Sequence, residues 1–241
     1  MSAAVPLQTQ SSNDVTNEWR VNVFPHYPIK GKVSGFGDLS WVKNPDSDST
    51  RYYLGLPGFL YTPKKWLQIW TGVRYIYTDN DPTSTNKQDT FEIRPFIGPK
   101  FFLPNKRRWN IYNYTRIEFR QTYSHSTHEW GNVERLRSLF GIEIPLTSTE
   151  RAWKPKTFYG IANVEPFYRF DKNDIDPFRA QVGLGYITHD RIRAELLYSA
   201  NWGRVSPSND LAFTQNIIRL NIKVGLKHAL LNDVWNPGDK K

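Results

Sequence analysis

The sequence predicts an all-β fold, an antiparallel up-and-down transmembrane β-barrel of about 12 strands, from three features. These are the alternation of polar and apolar residues, connections that alternate between short and long, and Trp residues near the ends of the alternating segments. In the stretch YTRIEFRQTY, Arg116, Glu118 and Arg120 occupy every second position, and Ile117 and Phe119 lie between them. Residues two apart share one face of a strand but not of a helix. The stretch is therefore predicted to be a strand with one charged face and one apolar face.

The alternation recurs from about residue 18 to residue 230 and is interrupted by polar joints rich in Pro, Asn and Asp. These joints separate eleven predicted strands: 18–27, 31–43, 51–62, 66–78, 90–103, 108–123, 132–146, 156–170, 177–188, 190–202 and 213–230. Bacterial barrels usually have an even number of strands, so a twelfth strand is expected, within residues 3–12 or from the split of a long segment. The predicted organisation is a polar N-terminal extension at 1–17, the barrel at 18–230 and a C-terminal tail at 231–241.

The predicted connections alternate in length. PIKG, TPKK, LPNKR and THD are tight, whereas KNPDSDST, DNDPTSTNKQD, SHSTHEWGN and GRVSPSND are longer and rich in Asn, Asp, Ser and Thr. This pattern is typical of an outer-membrane barrel with short periplasmic turns and longer extracellular loops. The segment LTSTERAWKPK, at one of the tight positions, is an exception.

The composition bears on the class of protein. The chain has 241 residues, of which 15% are aromatic and nine are Trp. It contains no window of roughly 18 consecutive apolar residues, so a helical membrane protein is not expected. It also contains no Cys, which excludes disulfides and Cys-ligated zinc. The N-terminal stretch up to Trp19 has neither a basic nor an apolar segment of the kind found in signal peptides, so no leader is predicted in it.

The apolar face of the predicted strands, with Leu54, Leu56 and Leu60 among its residues, is expected to meet lipid. The charged face is expected to surround a wet interior. Trp residues beside both sets of connections are typical of the two membrane interfaces. The predicted interface girdle consists of Trp41, Trp66, Trp109, Trp130, Trp153 and Trp202. In a soluble barrel or sandwich, which is the alternative, the apolar face would fill a core and Trp would have no preferred position.

The charged face is predicted to be basic. The chain has 32 Lys and Arg against 23 Asp and Glu, and its cations are spread along the strands rather than clustered in runs. The predicted pore-lining residues are Arg74, Arg94, Arg116, Glu118, Arg120, Arg135, Arg137, Glu165, Arg179, Arg193, Arg219 and Lys223. Lys32 and Arg191 are placed on the same face. Surplus positive charge in a narrow pore concentrates anions and repels cations.

The predicted function is therefore a passive channel with a basic, anion-favouring lumen, and the expected solutes are acidic small molecules or oligosaccharides. The alternative is a filled structural or interaction barrel without conductance, in which Arg and Glu pair across neighbouring strands. A barrel of this size can be filled by its own side chains, so the alternation by itself leaves both functions open.

Two predicted loops carry residues that hydrolases use, but the protein is not predicted to be an enzyme. One loop holds Ser124, His125, Ser126, His128 and Glu129, and another holds Ser206, Ser208 and Asp210. Neither loop matches the signature of a barrel hydrolase, so a hydrolase with a site on the extracellular loops is the less favoured alternative. His125 and His128 are three residues apart and would point to opposite faces of a strand, so no metal site is predicted, and no cofactor either. Nucleic-acid binding is not predicted, because the aromatic rings lie mostly away from the Arg residues.

The order of motifs resembles an uncharacterised family of predicted outer-membrane β-barrels, the domain of unknown function 2490. The motifs are RYYLGLPGFLYTPKKWLQIWTGVRYIYTDN, FEIRPFIGP, YTRIEFRQTY, RLRSLFGIEIPL, YGIANVEPFYRF, RAQVGLGYITHDRIRAELLYS and NIIRLNIKVGLKHAL. The resemblance implies a barrel in the outer membrane of a Gram-negative bacterium, with the lipid bilayer and the barrel-assembly machinery as partners, and it implies no chemistry. One departure is that the chain does not end on the aromatic residue common in such final strands, since Leu230 is followed by LNDVWNPGDKK.

Overall fold

Strands are the only regular elements in the part of the chain that the structure describes. The computed structural model describes residues 15–47, 49–80, 89–103, 108–148, 154–205 and 210–227. The eleven strands are β1 (Thr16–Lys30), β2 (Val33–Lys43), β3 (Thr50–Lys64), β4 (Leu67–Asp79), β5 (Thr90–Leu103), β6 (Asn110–Ser124), β7 (Glu129–Pro145), β8 (Thr157–Arg169), β9 (Asp174–His189), β10 (Ile192–Val205) and β11 (Asp210–Gly225). None of these residues forms a helix with the length and hydropathy that a membrane span requires.

The strands close into a barrel in which each strand pairs with its neighbours in the sequence. Ten of the eleven pairs are antiparallel, and β1 pairs with β11 in parallel. The parallel pair follows from the odd number of strands, because the first and the last strand of an up-and-down sheet then run in the same direction. The predicted all-β class, the up-and-down barrel and all eleven predicted segments are confirmed. The barrel closes without the expected twelfth strand, whose proposed place at 3–12 lies outside the described residues.

The two ends of the barrel differ in their connections less than the sequence predicts. We name the end with the β1–β2, β3–β4, β5–β6, β7–β8 and β9–β10 connections the turn end, and the opposite end the loop end. Three turn-end connections have two residues each, but 146–156 is long. Three loop-end connections have only four residues, because pairing continues into their polar segments. In SHSTHEWGN, for example, Ser124 already pairs with Glu129, so the loop is reduced to 125–128.

The two faces of the barrel wall have opposite character. Large apolar side chains are exposed around the outside, including those of Ile97, Phe140, Val182, Leu184 and Leu196. Charged side chains lie inside, and many of them are buried. The alternation of the sequence therefore separates the two faces as predicted.

Leu60 is an exception, because it lies inside the barrel and is 1% exposed. Gly55 pairs with Arg74 and Gly58 pairs with Gly72, so three steps along β3 oppose two steps along β4. This irregularity reverses the facing of the residues that follow it, because one extra residue shifts a period of two. The placement of Leu60 on the apolar face beside Leu54 was therefore wrong.

Two cations predicted for the interior face lie instead in turns. Lys32 is exposed in the β1–β2 turn, where its Nζ donates a hydrogen bond of 3.0 Å to the carbonyl oxygen of Pro63. Arg191 lies in the two-residue β9–β10 turn. Their placement in the interior was wrong, because each strand ends before the alternation does.

The turn-end half of the interior contains two packed clusters. One consists of Phe36, Leu60, Trp70 and Phe96 with Tyr114, and the other of Tyr159, Ile161, Ile187 and Leu197. Two inward glycines provide the space for large rings. A Cβ atom on Gly141 would lie 2.4 Å from Cζ of Tyr112, and one on Gly185 would lie 2.2 Å from Cζ of Tyr159. Each of these rings therefore packs against the glycine of the neighbouring strand, in a space that a side chain at that position would occupy.

Candidate functional site in the barrel interior

A single carboxylate lies at the centre of the interior charges. Glu118 is 0% exposed and accepts hydrogen bonds from Arg116 Nε at 2.7 Å and Arg137 Nη1 at 2.9 Å. Arg135 Nε donates to it at 3.2 Å, and Arg94 Nη1 lies 4.0 Å away. The register explains this cluster, because Arg116 pairs with Arg137 and Glu118 pairs with Arg135 across β6 and β7. One carboxylate thus contacts four guanidinium groups from three strands.

Glu165 extends the network towards β9. Arg137 Nε and Nη2 donate to the two oxygens of Glu165 at 3.1 and 2.8 Å, and Arg179 Nη1 lies 3.6 Å from the same carboxylate. Glu92 extends it in the other direction, since Arg120 Nε and Nη2 donate to its oxygens at 3.0 and 2.8 Å. Paired geometry of this kind is the strongest form of Arg and carboxylate contact.

Two further interior carboxylates lie on β1 and β2, close to the β1–β11 pair that closes the barrel. Glu18 is buried and pairs with Arg20 and Arg51. Asp38 lies 2.9 Å from Arg74 Nε. Arg and Glu therefore pair around the interior wall, as the filled-barrel alternative expects.

The interior nevertheless has a surplus of positive charge among the described residues. Thirteen cations face it: Arg20, Arg51, Arg74, Arg94, Lys100, Arg116, Arg120, Arg135, Arg137, Arg179, Arg193, Arg219 and Lys223. Seven carboxylates face it: Glu18, Asp38, Glu92, Glu118, Glu143, Glu165 and Glu195. If every carboxylate neutralises one cation, six positive charges remain.

The loop-end half of the interior contains a cavity of about 390 Å³, which we name the arginine cavity. Its lining includes ten arginines: Arg20, Arg51, Arg74, Arg94, Arg116, Arg120, Arg135, Arg137, Arg179 and Arg219. Glu18, Asp38 and Glu165 are its only acidic lining residues among those described. Its chemistry is therefore suited to anions.

The turn-end half contains a smaller cavity of about 160 Å³, which we name the aromatic cavity. Its lining includes His26, Phe36, Trp70, Phe96, Lys100, Tyr112, Tyr114, Glu143 and Lys223. Both cavities are also lined by Phe24, Asp38, Arg74 and Leu139. These four residues, which we name the neck, lie between the cavities, and the ion pair of Asp38 and Arg74 is part of it.

A family model described as Protein of unknown function (DUF2490) matches residues 16–212. The chain belongs to this family. The match begins with the first residue of β1 and ends within β11, so it covers most of the barrel, and it confirms the resemblance carried by the motifs. No curated protein matches the chain.

Nine of the twelve residues predicted to line a pore in this DUF2490 barrel line the arginine cavity: Arg74, Arg94, Arg116, Arg120, Arg135, Arg137, Glu165, Arg179 and Arg219. Lys223 lines the aromatic cavity. Glu118 is covered by its arginines, and Arg193 is buried. The structure thus brings these side chains together inside the barrel, and their role in conduction stays a prediction.

The sequence analysis missed two buried interior charges, Glu18 and Lys100. Glu18 lies two residues before Arg20, and Lys100 continues the alternation of Glu92 and Arg94 along β5. Extension of the same alternation to the strand ends would have identified both. Lys100 Nζ lies 4.4 Å from the ring centre of Tyr112, which is a cation–π distance.

Aromatic side chains lie on the outer surface near both ends of the DUF2490 barrel. Of the predicted Trp residues, Trp41, Trp66 and Trp130 are exposed. Trp202 lies between Phe178 and Phe213, with 5.7 Å between ring centres on each side. Trp109 is partly buried just before β6, and Trp153 lies outside the described residues. Trp19, which was not among those predicted, is also exposed at the loop end.

The loop residues considered for catalysis form local contacts. Ser124 and Ser126 share a hydrogen bond of 2.9 Å, and His128 Nδ1 lies 3.1 Å from the hydroxyl oxygen of Tyr123. Ser206 and Ser208 lie outside the described residues. Within the described ranges, no group of three or more His, Cys, Asp or Glu side chains is placed to hold a metal ion.

An ion pair lies at the loop end beside β8. Arg169 Nε donates a hydrogen bond of 3.0 Å to Asp171, and this bond lowers the pKa of the Asp171 carboxyl. Asp171 therefore stays ionised at neutral pH and neutralises Arg169. For this reason we do not count Arg169 with the surplus cations of the interior.

Proposed function

We propose that this protein is a bacterial outer-membrane β-barrel that acts as a passive channel with a basic, anion-favouring lumen. The observation that carries the proposal is the arginine cavity, which lies inside a closed barrel whose described interior side chains include six more cations than carboxylates. Fixed positive charge in a narrow space raises the local concentration of anions. The solutes would be small acidic molecules or acidic oligosaccharides, and we propose transport and no enzymatic activity.

The outer surface supports a membrane location. Water would disfavour a continuous apolar exterior around a charged interior, whereas lipid requires this arrangement. The paired rings of Trp66 and Phe101 at the turn end, and of Tyr123 and Trp130 at the loop end, have the positions of interface girdles. The bilayer and the barrel-assembly machinery would then be partners of the chain.

Refolded protein in a planar lipid bilayer under a KCl gradient should give stable conductance steps and a reversal potential that shows chloride preference. The double variant Arg51→Gln, Arg120→Gln removes two charges from the cavity. Both arginine side chains are about 30% exposed, and each is more exposed than the glutamate with which it pairs. We expect it to lower the chloride-to-potassium permeability ratio by roughly half, because the surplus charge falls.

The matched control is Lys30→Gln, Lys172→Gln, which removes two charges from exposed residues outside the cavity. We expect this variant to keep the selectivity of the unmodified protein. Equal changes in both variants would show that overall charge, rather than the cavity, determines selectivity.

The neck favours a second candidate, a filled structural barrel without conductance. Phe24, Asp38, Arg74 and Leu139 lie between the two cavities, and the charges around Glu118 are extensively paired. Silence from protein shown to be folded and inserted would support this candidate.

Phe24→Ala tests whether the neck limits passage. The variant removes an uncharged ring that lines both cavities, so we expect the conductance steps to become larger while selectivity is kept. Phe91→Ala, which removes an outward ring that stacks on Tyr75, is the control and should leave conductance unchanged. Steps of unchanged size in Phe24→Ala would locate the narrowest point elsewhere.

A further inference from the structure

Arg219 has two side-chain nitrogens without a hydrogen bond to a described residue in the arginine cavity, whereas Arg74, whose Nε also lacks one, has an oxygen of Asp38 2.9 Å from that atom. The Nε and Nη2 atoms of Arg219 are buried and have no hydrogen-bond partner among the described residues. These two nitrogens form one edge of the guanidinium group, the edge that binds carboxylate, phosphate or sulfate through two parallel hydrogen bonds. Buried N–H groups without a partner are rare and costly, so a ligand for this edge is the simplest explanation.

Charged side chains of both signs act on Arg219, and the cations act on it more strongly. It pairs directly with Arg20 across the parallel β1–β11 contact, the charge of Arg179 also acts on it, and the carboxylates of Glu18 and Glu165 act in the opposite sense. Like charges placed opposite each other destabilise a sheet. Arg20 Nε is bound to Glu18 at 3.1 Å, and Arg179 Nε donates to Asn201 Oδ1 at 2.8 Å, whereas Arg219 has no such acceptor at Nε.

We propose that Arg219, together with Arg20 and Arg179, binds the tetrahedral oxyanion group of a solute, a phosphate or a sulfate, in the arginine cavity. A doubly charged oxyanion offers several acceptor oxygens to the free edge of Arg219 and offsets the repulsion among the three guanidinium groups. The cavity of about 390 Å³ has room for a group larger than one free ion. The inference rests on the proposed function in one respect, since the anion must enter the interior from solvent.

Calorimetric titration of the refolded full chain in detergent micelles with inorganic phosphate tests the site without requiring conduction. Sulfate and glycerol phosphate in parallel titrations distinguish a site for the free ion from a site for an esterified group, and sodium chloride at equal ionic strength is the background. We expect saturable binding of one phosphate or sulfate group per chain. Arg219→Gln should weaken it by about tenfold or more, because both bonds of the edge are lost.

Three further variants separate the site from general electrostatics. Arg219→Lys keeps the charge but lacks the two-bond edge, so it should also bind phosphate several times more weakly. Arg120→Gln removes a charge from the same cavity, but from an arginine already bound by Glu92, so we expect a loss of less than about threefold. Arg204→Gln, whose charge is paired with Asp174, is the control for binding at the loop end.

Thermal unfolding provides a readout that a folding defect cannot imitate. In phosphate-free buffer Arg219→Gln should unfold at a temperature equal to or above that of the unmodified protein, because a repulsive charge is removed. Added phosphate should raise the unfolding temperature of the unmodified protein and not that of the variant.

Either of two outcomes would overturn the inference. One is phosphate and sulfate binding that is equal in Arg219→Gln and the unmodified protein, or reduced equally in Arg219→Gln and Arg120→Gln. The other is the absence of saturable binding in protein that conducts chloride, which would leave the proposed channel intact. Binding that depends on Arg219 in protein that does not conduct would support the site and count against the channel.

Discussion

Glu118→Gln is expected to lower the free energy of unfolding by about 3–5 kcal/mol. The Glu118 carboxylate is 0% exposed and lies against the guanidinium groups of Arg94, Arg116, Arg135 and Arg137. Gln has nearly the same shape but no charge, so the four cations would repel one another without a counterion at their centre. Urea unfolding of protein refolded into lipid bilayers, followed by Trp fluorescence, measures the change.

Glu134→Gln is the matched control, since it makes the same substitution at an exposed position of the neighbouring strand β7. Its effect should stay within about 0.5 kcal/mol. A loss below about 1 kcal/mol in Glu118→Gln would mean that solvent or bound anions already compensate the four arginines, and that the cluster around Glu118 is not a main source of stability.

Ile117→Lys is expected to lower the free energy of unfolding in lipid by about 2–4 kcal/mol. Ile117 is 37% exposed on the outer surface near the middle of β6, next to Ile97 and Leu136 in the register. The proposed membrane location puts this position near the centre of the bilayer, where a Lys side chain loses its hydration. Unfolding in lipid vesicles, together with the yield of folded protein on insertion, measures the effect.

Leu103→Lys makes a comparable substitution on the outer surface at the turn end of β5. Near an interface the cost falls to about 0–1 kcal/mol, because the ammonium group reaches water. Equal costs at both positions would show that the substitution disturbs the barrel itself. Normal insertion and stability of Ile117→Lys would show that the outer surface does not face hydrocarbon.

The two faces of a strand could be predicted where the period of two is uninterrupted, and the prediction is wrong where strand pairing interrupts it. Along YTRIEFRQTY no residue interrupts the period of two, and the charged and apolar residues lie on the predicted faces. Leu60 was misplaced because the irregularity between Gly55 and Gly58 depends on how β3 pairs with β4, which the residues of β3 alone do not reveal. The length of the β6–β7 loop was overestimated for the same reason, since pairing extends a strand into a polar segment.

The sequence by itself determined the positions of the eleven strands, the charged character of one face, the basic surplus on it and the family. Each of these depends on neighbouring residues or on composition. Only the tertiary structure decided the parallel closure, the pairing of Asn22 with Asn221 across 199 positions, and the neck between the two cavities. It also decided that Glu118 lies among four arginines whereas Arg219 has a free edge. Strand register and barrel closure determine which residues far apart in the chain become partners. The alternation in the sequence does not identify the register, because a shift of one strand by two residues leaves every side chain on the same face.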